Sequence, residues 1–543
     1  MRKNYLYLII ILIITAAGAA VTGALTAPPS KEESVGAYFS DAEDFEALTY
    51  GKEKCPFDPH AILFNGNAVP CDATEKTFFI PQDPGEEEWT GLLSSGSKGS
   101  RIRILDDLGA AAGGKADCIG KGHRFRTAVI GSDAYMEAYI VFTGLPVIHI
   151  TYDDGPVEGK EDHAGTMRVT DPYRHNFVQT DCTFHVRGNT SVLFDKKSYR
   201  IELHDSIGRS QKESLLGLRT DDDWILNSLS TDVTLSREKI SYDLWEKLRE
   251  FDRDVPPAPS IEYAEVFLND RYAGVYGLMF PVDGKLMDME QGDLLYKIRT
   301  WMEEMDVPGK LTDYNGEREV LNTNGYAYAR IEYPGKMSGP YLWDPLQAYQ
   351  DFVFEDQDPD RLSGKGVIID KNAFVFHELF CEMTRAADNT WKNLYLAACR
   401  QKDGSYVLSE TIWDLNYTFG DEFVWDPDHG NTRFNAESTD SFTLRYDRDY
   451  GFTALETADP SVTEEAAAKW KMWRENGIGP ELLTQMFEKE RKYLTDSGAM
   501  ERDRDRWNTV KGGQEYMASL NNWILGRFAF LDSLYGYDPD TVQ

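Results

Sequence analysis

Asp388, Asn393 and Asp414 are the residues of this chain whose types and spacing could do chemistry. Asp388-Asn389-Thr390-Trp391-Lys392-Asn393 reads D-x-x-x-x-N, and Asp414 closes a later apolar run, Ile412-Trp413-Asp414. In phosphoryl transfer, the first Asp of such a set accepts the proton of the attacking hydroxyl. The Asn and second Asp hold divalent metal on the phosphates. Alone, D-x4-N also describes an ordinary turn, because Asp and Asn bond readily to their own backbone. Context separates the two readings.

An apolar run of helical spacing (Phe374, Leu379, Phe380, Met383) precedes the motif, and a strand-like run, Leu394 to Ala398, follows it. Lys402-Asp403-Gly404 is a turn signal, after which a second strand-like run leads into Asp414. The local order is therefore helix, loop, hairpin, Asp. Upstream, Arg187-Gly188-Asn189-Thr190-Ser191 is the candidate phosphate cradle, since Gly permits close backbone approach and Thr and Ser add donors. Lys197, or its neighbour Lys196, could neutralise phosphate charge from the next strand-like run, Ser198 to Leu203. Arg200 is a further candidate nucleotide contact, on the face opposite Lys197 by strand alternation. A helix is expected over about Leu235 to Arg249, capped by Asp232 or Thr234, with Glu238 available to pair with the chosen lysine. A hairpin is expected about Asn269-Asp270.

These residues resemble the spore-coat-protein-H (CotH) kinase family of secreted and cell-surface atypical protein kinases. The resemblance covers roughly residues 180–535. It is carried by Arg187 to Ser191, Lys196-Lys197-Ser198-Tyr199-Arg200-Ile201, Leu215-Leu216-Gly217-Leu218, Asp223-Trp224-Ile225-Leu226-Asn227, Glu265-Val266-Phe267-Leu268-Asn269, Gly274-Val275-Tyr276 and Trp413-Asp414-Leu415-Asn416-Tyr417-Thr418-Phe419-Gly420. It implies an α+β, divergent protein-kinase-like two-lobe fold that uses ATP and Mg²⁺ or Mn²⁺ to phosphorylate Ser or Thr of surface or secreted proteins. Asp388 and Asp414 match the family's essential acidic positions. The chain departs from the pattern at Phe280-Pro281, where the family often carries a glutamate, and at Asn416, the second acidic position of its W-D-x-D motif. The rival reading is a catalytically weak or inactive kinase-like surface protein acting in adhesion or assembly.

The rest of the chain frames this site. Met1-Arg2-Lys3-Asn4 followed by an apolar stretch from Tyr5 to Ala27 reads as a signal peptide or membrane anchor over residues 1–29. Either form places the remainder outside the cytoplasm, released or on the outer face of the cell membrane. Residues 30–50 are acidic and read as a linker, 51–178 as a small β-rich, sandwich-like accessory region, and 179–543 as the kinase-like domain. Within that domain, 300–368 shows little periodicity and reads as an insertion, and about 459–537 reads as helices. The formal charge of −34, from 57 basic and 91 acidic residues, argues against a nucleic-acid partner. Six cysteines in an exported chain permit up to three disulfides, with Cys55–Cys71 the favoured pair and Cys381–Cys399 able to brace the loop at Asp388.

Overall fold

The computed structural model describes residues 34–541, apart from 42–43, 108, 154, 189–191, 193, 301–306, 308, 337–340, 387, 425–431, 441–448 and 509–512. The chain is α+β and its described residues divide into two compact units, one made chiefly of those up to Leu145 and the other of most of those from Pro146 onward. The expected segment 1–29 lies outside the described residues. Among those described, no helix is long and apolar enough to cross a membrane.

In the first unit a seven-stranded mixed sheet accompanies a three-stranded one. The expected linker is folded into it: Val35 is fully buried, and Phe39–Ser40 pairs in parallel with Ile104 and Leu105. Its acidic composition concealed two short apolar anchors.

The second unit opens with a closed seven-stranded barrel. Its order is Val147–Tyr152, His163–Asp171, Asn176–Arg187, Ser198–His204, Asp223–Asn227, Arg271–Met279 and Ile261–Leu268, the last pairing in parallel with the first. Alternation dictates its core. Phe184, Ile201 and Trp224 stand opposite one another on three neighbouring strands, all buried, while His185, Arg200 and Arg187 lie on the other face. The expected boundary at 178/179 therefore falls inside the strand Asn176–Arg187 and moves back to Pro146. Strand pairing across the barrel, which local composition does not reveal, draws residues 147–178 into this unit.

The helix Arg237–Arg249 leaves the barrel and packs into a larger core with a six-stranded sheet. That sheet runs Glu319–Leu321, Ala327–Tyr333, Leu294–Ile298, Leu394–Arg400, Tyr406–Ile412 and Val367–Ile369. The stretch 300–368, read as an insertion of little periodicity, contributes edge strands to this sheet and the helices Asp344–Asp351 and Pro359–Gly364. Register shifts at Val320/Leu321 and Leu295/Tyr296 break the alternation that would have shown it. Helices Ser461–Glu475, Pro480–Asp496, Ala499–Trp507 and Gln514–Leu534 occupy the region where helical spacing predicts them. All six cysteines are free thiols, so neither Cys55–Cys71 nor Cys381–Cys399 is bridged. Cys55 is exposed while Cys71 is buried, and burial pushes the Cys71 and Cys399 thiols upward.

Candidate active site

The helix Lys371–Thr384 ends where Arg385 turns left-handed (φ 51°), its guanidinium held in a buried pair with Glu422 at 2.8 Å. The chain then enters the loop of the D-x4-N motif. Asn393 Nδ2 donates to Asp388 Oδ2 at 3.1 Å, and Lys392 Nζ reaches the same oxygen at 2.8 Å. Asn393 is itself left-handed (φ 55°), a conformation that asparagine tolerates better than most residues. The hairpin Leu394–Arg400 and Tyr406–Ile412 pairs Leu394 with Ile412, so Asn393 and Trp413 emerge side by side. Asn389 Nδ2 donates to the Trp413 carbonyl at 2.6 Å and ties the loop to the residue before Asp414. Asp414 follows with φ 62° and an exposed side chain. Left-handed aspartate costs about 1–3 kcal/mol, a strain that the surrounding contacts must hold. The Tyr417 phenol, raised first by burial, feels both Asp414 and Asp388. Asp388, Asn393 and Asp414 are thus brought together.

The helix Arg237–Arg249 positions a third carboxylate. The helix's N-cap is Ser236, not Asp232 or Thr234 as expected, and Asp232 lies four residues ahead, accepting from the backbone N–H groups of Ser236 and Arg237, both at 2.7 Å. Glu238 is buried. It accepts from Asn227 Nδ2 at 2.6 Å and from the Tyr242 hydroxyl at 3.0 Å, and that hydroxyl in turn accepts from Asp414 N at 3.2 Å. Burial first, and the Asp414 charge second, push Glu238 up to about 7. Lysine pairing, the role expected of Glu238, gives way to a place beside Asp414.

Arg187, at the end of its barrel strand, lies over the Trp413 ring at 5.5 Å, and its charge is felt by Glu238. Gly188 takes φ 109°, open to glycine. Asn189, Thr190 and Ser191 lie outside the described residues. Lys197 Nζ donates to the carbonyls of Val192 at 2.7 Å and Phe194 at 2.6 Å, closing that turn. Lys196 is buried, its ammonium donating to Val275 O at 2.7 Å and Asp503 Oδ1 at 2.6 Å; Val275 N donates to the same Asp503 oxygen at 2.7 Å. The Lys196 and Gly274-Val275-Tyr276 motifs therefore form one structural knot. Arg200 pairs with Asp223, whose carboxyl burial nevertheless pushes up to about 6.

A lysine that feels the Asp414 charge is Lys297, on the strand Leu294–Ile298 of the six-stranded sheet that also carries the hairpin leading to Asp414. Half-buried, its ammonium sits 5.0 Å from the Tyr395 ring centre and 4.9 Å from that of Trp413. Desolvation, with Arg187 adding like charge, brings it down to about 7. Sequence reasoning missed Lys297 and Lys392. The signals were a lone cation inside Leu294-Leu295-Tyr296-Lys297-Ile298 and a lysine four residues after Asp388.

Asp414, Asp388 and the Asn393 amide offer oxygens of the kind that Mg²⁺ and Mn²⁺ prefer; both Glu238 oxygens accept from Asn227 and Tyr242, and the carboxylates of Asp388, Glu238 and Asp414 do not close to within 4.8 Å of one another. Lys297, Lys392 and Arg187 supply positive charge at the same place. The family model for CotH kinase protein matches residues 184–531. No curated protein matches the chain.

Proposed function

The chain belongs to the CotH kinase family, and from that premise we propose that it is an ATP-dependent protein kinase acting on Ser or Thr hydroxyls of surface or secreted proteins. The observation that carries this is the meeting of Asp388, Asn393 and Asp414 from separate elements, with Asn393 Nδ2 at 3.1 Å from Asp388 Oδ2. Asp388 takes the proton of the attacking hydroxyl as its oxygen bonds to the γ-phosphorus and the bond to the β–γ bridging oxygen breaks, leaving ADP. Lys392 and Asn393 fix the Asp388 carboxylate for that transfer. Asp414, with Asn393 and Glu238 beside it, would hold Mg²⁺ or Mn²⁺, which supplies charge neutralisation on the phosphates. Lys297 and Arg187 add fixed positive charge, so catalysis is positioning plus electrostatic stabilisation. Placement outside the cytoplasm is part of the proposal and rests on the basic start and apolar run at Met1 to Ala27.

The test is transfer from radiolabelled ATP to a Ser-containing protein or to the chain itself, with Mn²⁺. Asp388→Asn and Asp414→Ala should each lose at least about 100-fold in rate while keeping the wild-type circular-dichroism spectrum and melting temperature. Undiminished transfer in Asp388→Asn, or no ATP-dependent thermal shift in the wild type with metal present, would favour the adhesion or assembly reading.

A further inference from the structure

Behind the loop that carries Asp388, three side chains from three elements converge in the core: His377 on the helix Lys371–Thr384, Glu410 on the strand Tyr406–Ile412, and Asp449, the N-cap of the helix Tyr450–Ala458. One nitrogen or oxygen from each lies within 4.8 Å of the other two, and all three residues are fully buried. His377 Nδ1 is 3.4 Å from Glu410 Oε2 and 3.4 Å from Asp449 Oδ2.

The remaining oxygens are engaged. Glu410 Oε1 accepts from the Tyr349 hydroxyl at 3.0 Å, and Asp449 Oδ1 accepts from Phe452 N at 2.8 Å. Glu410 Oε2 and Asp449 Oδ2 accept no hydrogen bond, although both are sealed from water. A third buried carboxylate, Glu378, takes the Asp449 N–H at 3.0 Å and so adds negative charge to the cluster. Among the described residues, the ion pairs of Glu410 and Asp449 run to His377 and to no lysine or arginine. Burying a carboxylate costs several kcal/mol unless opposite charge compensates it, and one imidazole between two acids is little compensation.

Geometry supplies the missing charge. Ligand atoms about 2.0–2.2 Å from a tetrahedral ion stand about 3.3–3.6 Å apart, and both histidine-to-carboxylate separations here are 3.4 Å. We propose that His377 Nδ1, Glu410 Oε2 and Asp449 Oδ2 bind one divalent transition-metal ion, Zn²⁺ or Mn²⁺, at a structural site separate from that at Asp414. An imidazole with two carboxylates suits such ions better than Mg²⁺ or Ca²⁺, which favour all-oxygen sets. Cys381 Sγ lies against the same imidazole, 3.6 Å from Nε2 and 3.9 Å from Nδ1. The ion joins the helix before the D-x4-N loop, the strand that leads to Asp414, and a helix whose first N–H, from Tyr450, donates to the Thr390 carbonyl inside the loop at 3.3 Å. It braces the loop from behind.

The full chain, incubated with Zn²⁺ or Mn²⁺ and dialysed into metal-free buffer, should retain one ion per chain by mass spectrometry of the metal. Asp414→Ala should retain it, and Glu410→Gln and His377→Ala should not. Stripping the wild type with a strong chelator should lower its melting temperature by about 5 °C or more, restored by Zn²⁺ or Mn²⁺ alone. The isosteric Glu410→Gln chain should melt at one temperature with or without chelator. Wild type that retains no ion and melts unchanged in chelator would overturn the site in favour of an ion-free cluster in which burial and the Asp449 charge favour the neutral Glu410 carboxyl. An ion lost from Asp414→Ala but kept by Glu410→Gln would overturn it in favour of the kinase site alone. Neither readout depends on phosphoryl transfer.

Discussion

Lys297 shows what a single side chain gives up for a site. Its ammonium is desolvated between the Tyr395 and Trp413 rings and held down to about 7, so the folded apo protein carries this lysine at a thermodynamic cost. Lys297→Met, similar in shape and uncharged, is expected to melt at or above the wild-type temperature while weakening ATP binding about tenfold by calorimetry. The pH dependence has a definite sign. Between about 7 and the ordinary lysine value of 10.5 the unfolded chain holds a proton that the folded chain has released, so folding stability due to this residue rises with pH through that window. Wild-type minus Lys297→Met stability, from urea titrations at pH 7 and pH 10, should therefore increase with pH. Its slope should be at most about 1 kcal/mol per unit, since water reaching a half-buried group screens part of the full value. A difference that falls with pH would show that Lys297 stays charged throughout.

At the scale of elements, two junctions hold the site's supports in place. The helix that carries Glu238 is pinned by Arg237, fully buried, which pairs with Asp232 and donates from Nε to the Thr418 carbonyl at 3.1 Å. Removing Asp232 leaves that guanidinium with Asp421 alone, at 3.8 Å, as an acidic partner, and takes the acceptor from the Ser236 and Arg237 N–H groups at the start of the helix. Asp232→Ala should cost about 3–5 kcal/mol in chemical denaturation, and transfer activity should fall with it because Glu238 and Tyr242 ride on the same helix. The second junction joins the barrel to the helix Ala499–Trp507 through Lys196, Val275 and Asp503. Gly274 has φ +110°, and a Cβ there would stand 2.4 Å from Asp503 Oδ1 and 2.8 Å from Trp507 Nε1. Gly274→Ala should destabilise by about 2–4 kcal/mol, read from urea unfolding, with the loss in stability and not in ATP affinity of the remaining folded fraction.

For the whole molecule, cohesion comes from packed cores and buried ion pairs, not covalent cross-links. All six cysteines are free, most of them buried, and burial raises the thiols of Cys71, Cys182 and Cys381. Chain purified without reductant and unfolded in guanidinium should titrate six thiols with a disulfide-exchange dye, and the native protein should melt at the same temperature with or without reductant. Four or fewer thiols would reveal a bridge. The excess of acid over base, −34 in all, is partly turned inward: Glu238, Glu378, Glu410 and Asp449 are all buried. Such groups need cations, and both proposed ion sites lie where they gather.

The sequence alone determined what rests on local order. The D-x4-N loop between a helix and a hairpin, the helix that follows Asp232, the turn at Asn269-Asp270 and the helical tail each depend on residues a few positions apart, whose spacing and turn chemistry are visible in one dimension. Family membership followed from several such motifs in sequence order. Tertiary structure decided what depends on pairing at a distance. It closed residues 147–279 into a barrel, drew strands from within 300–368 to the edges of a sheet, engaged Lys196 and Lys197 elsewhere, and brought Lys297 from another strand to where it feels Asp414. It also set His377, Glu410 and Asp449 around one point. Strand register and side-chain burial arise from contacts between segments tens to hundreds of residues apart, and no local propensity encodes which lysine among many will lose its water.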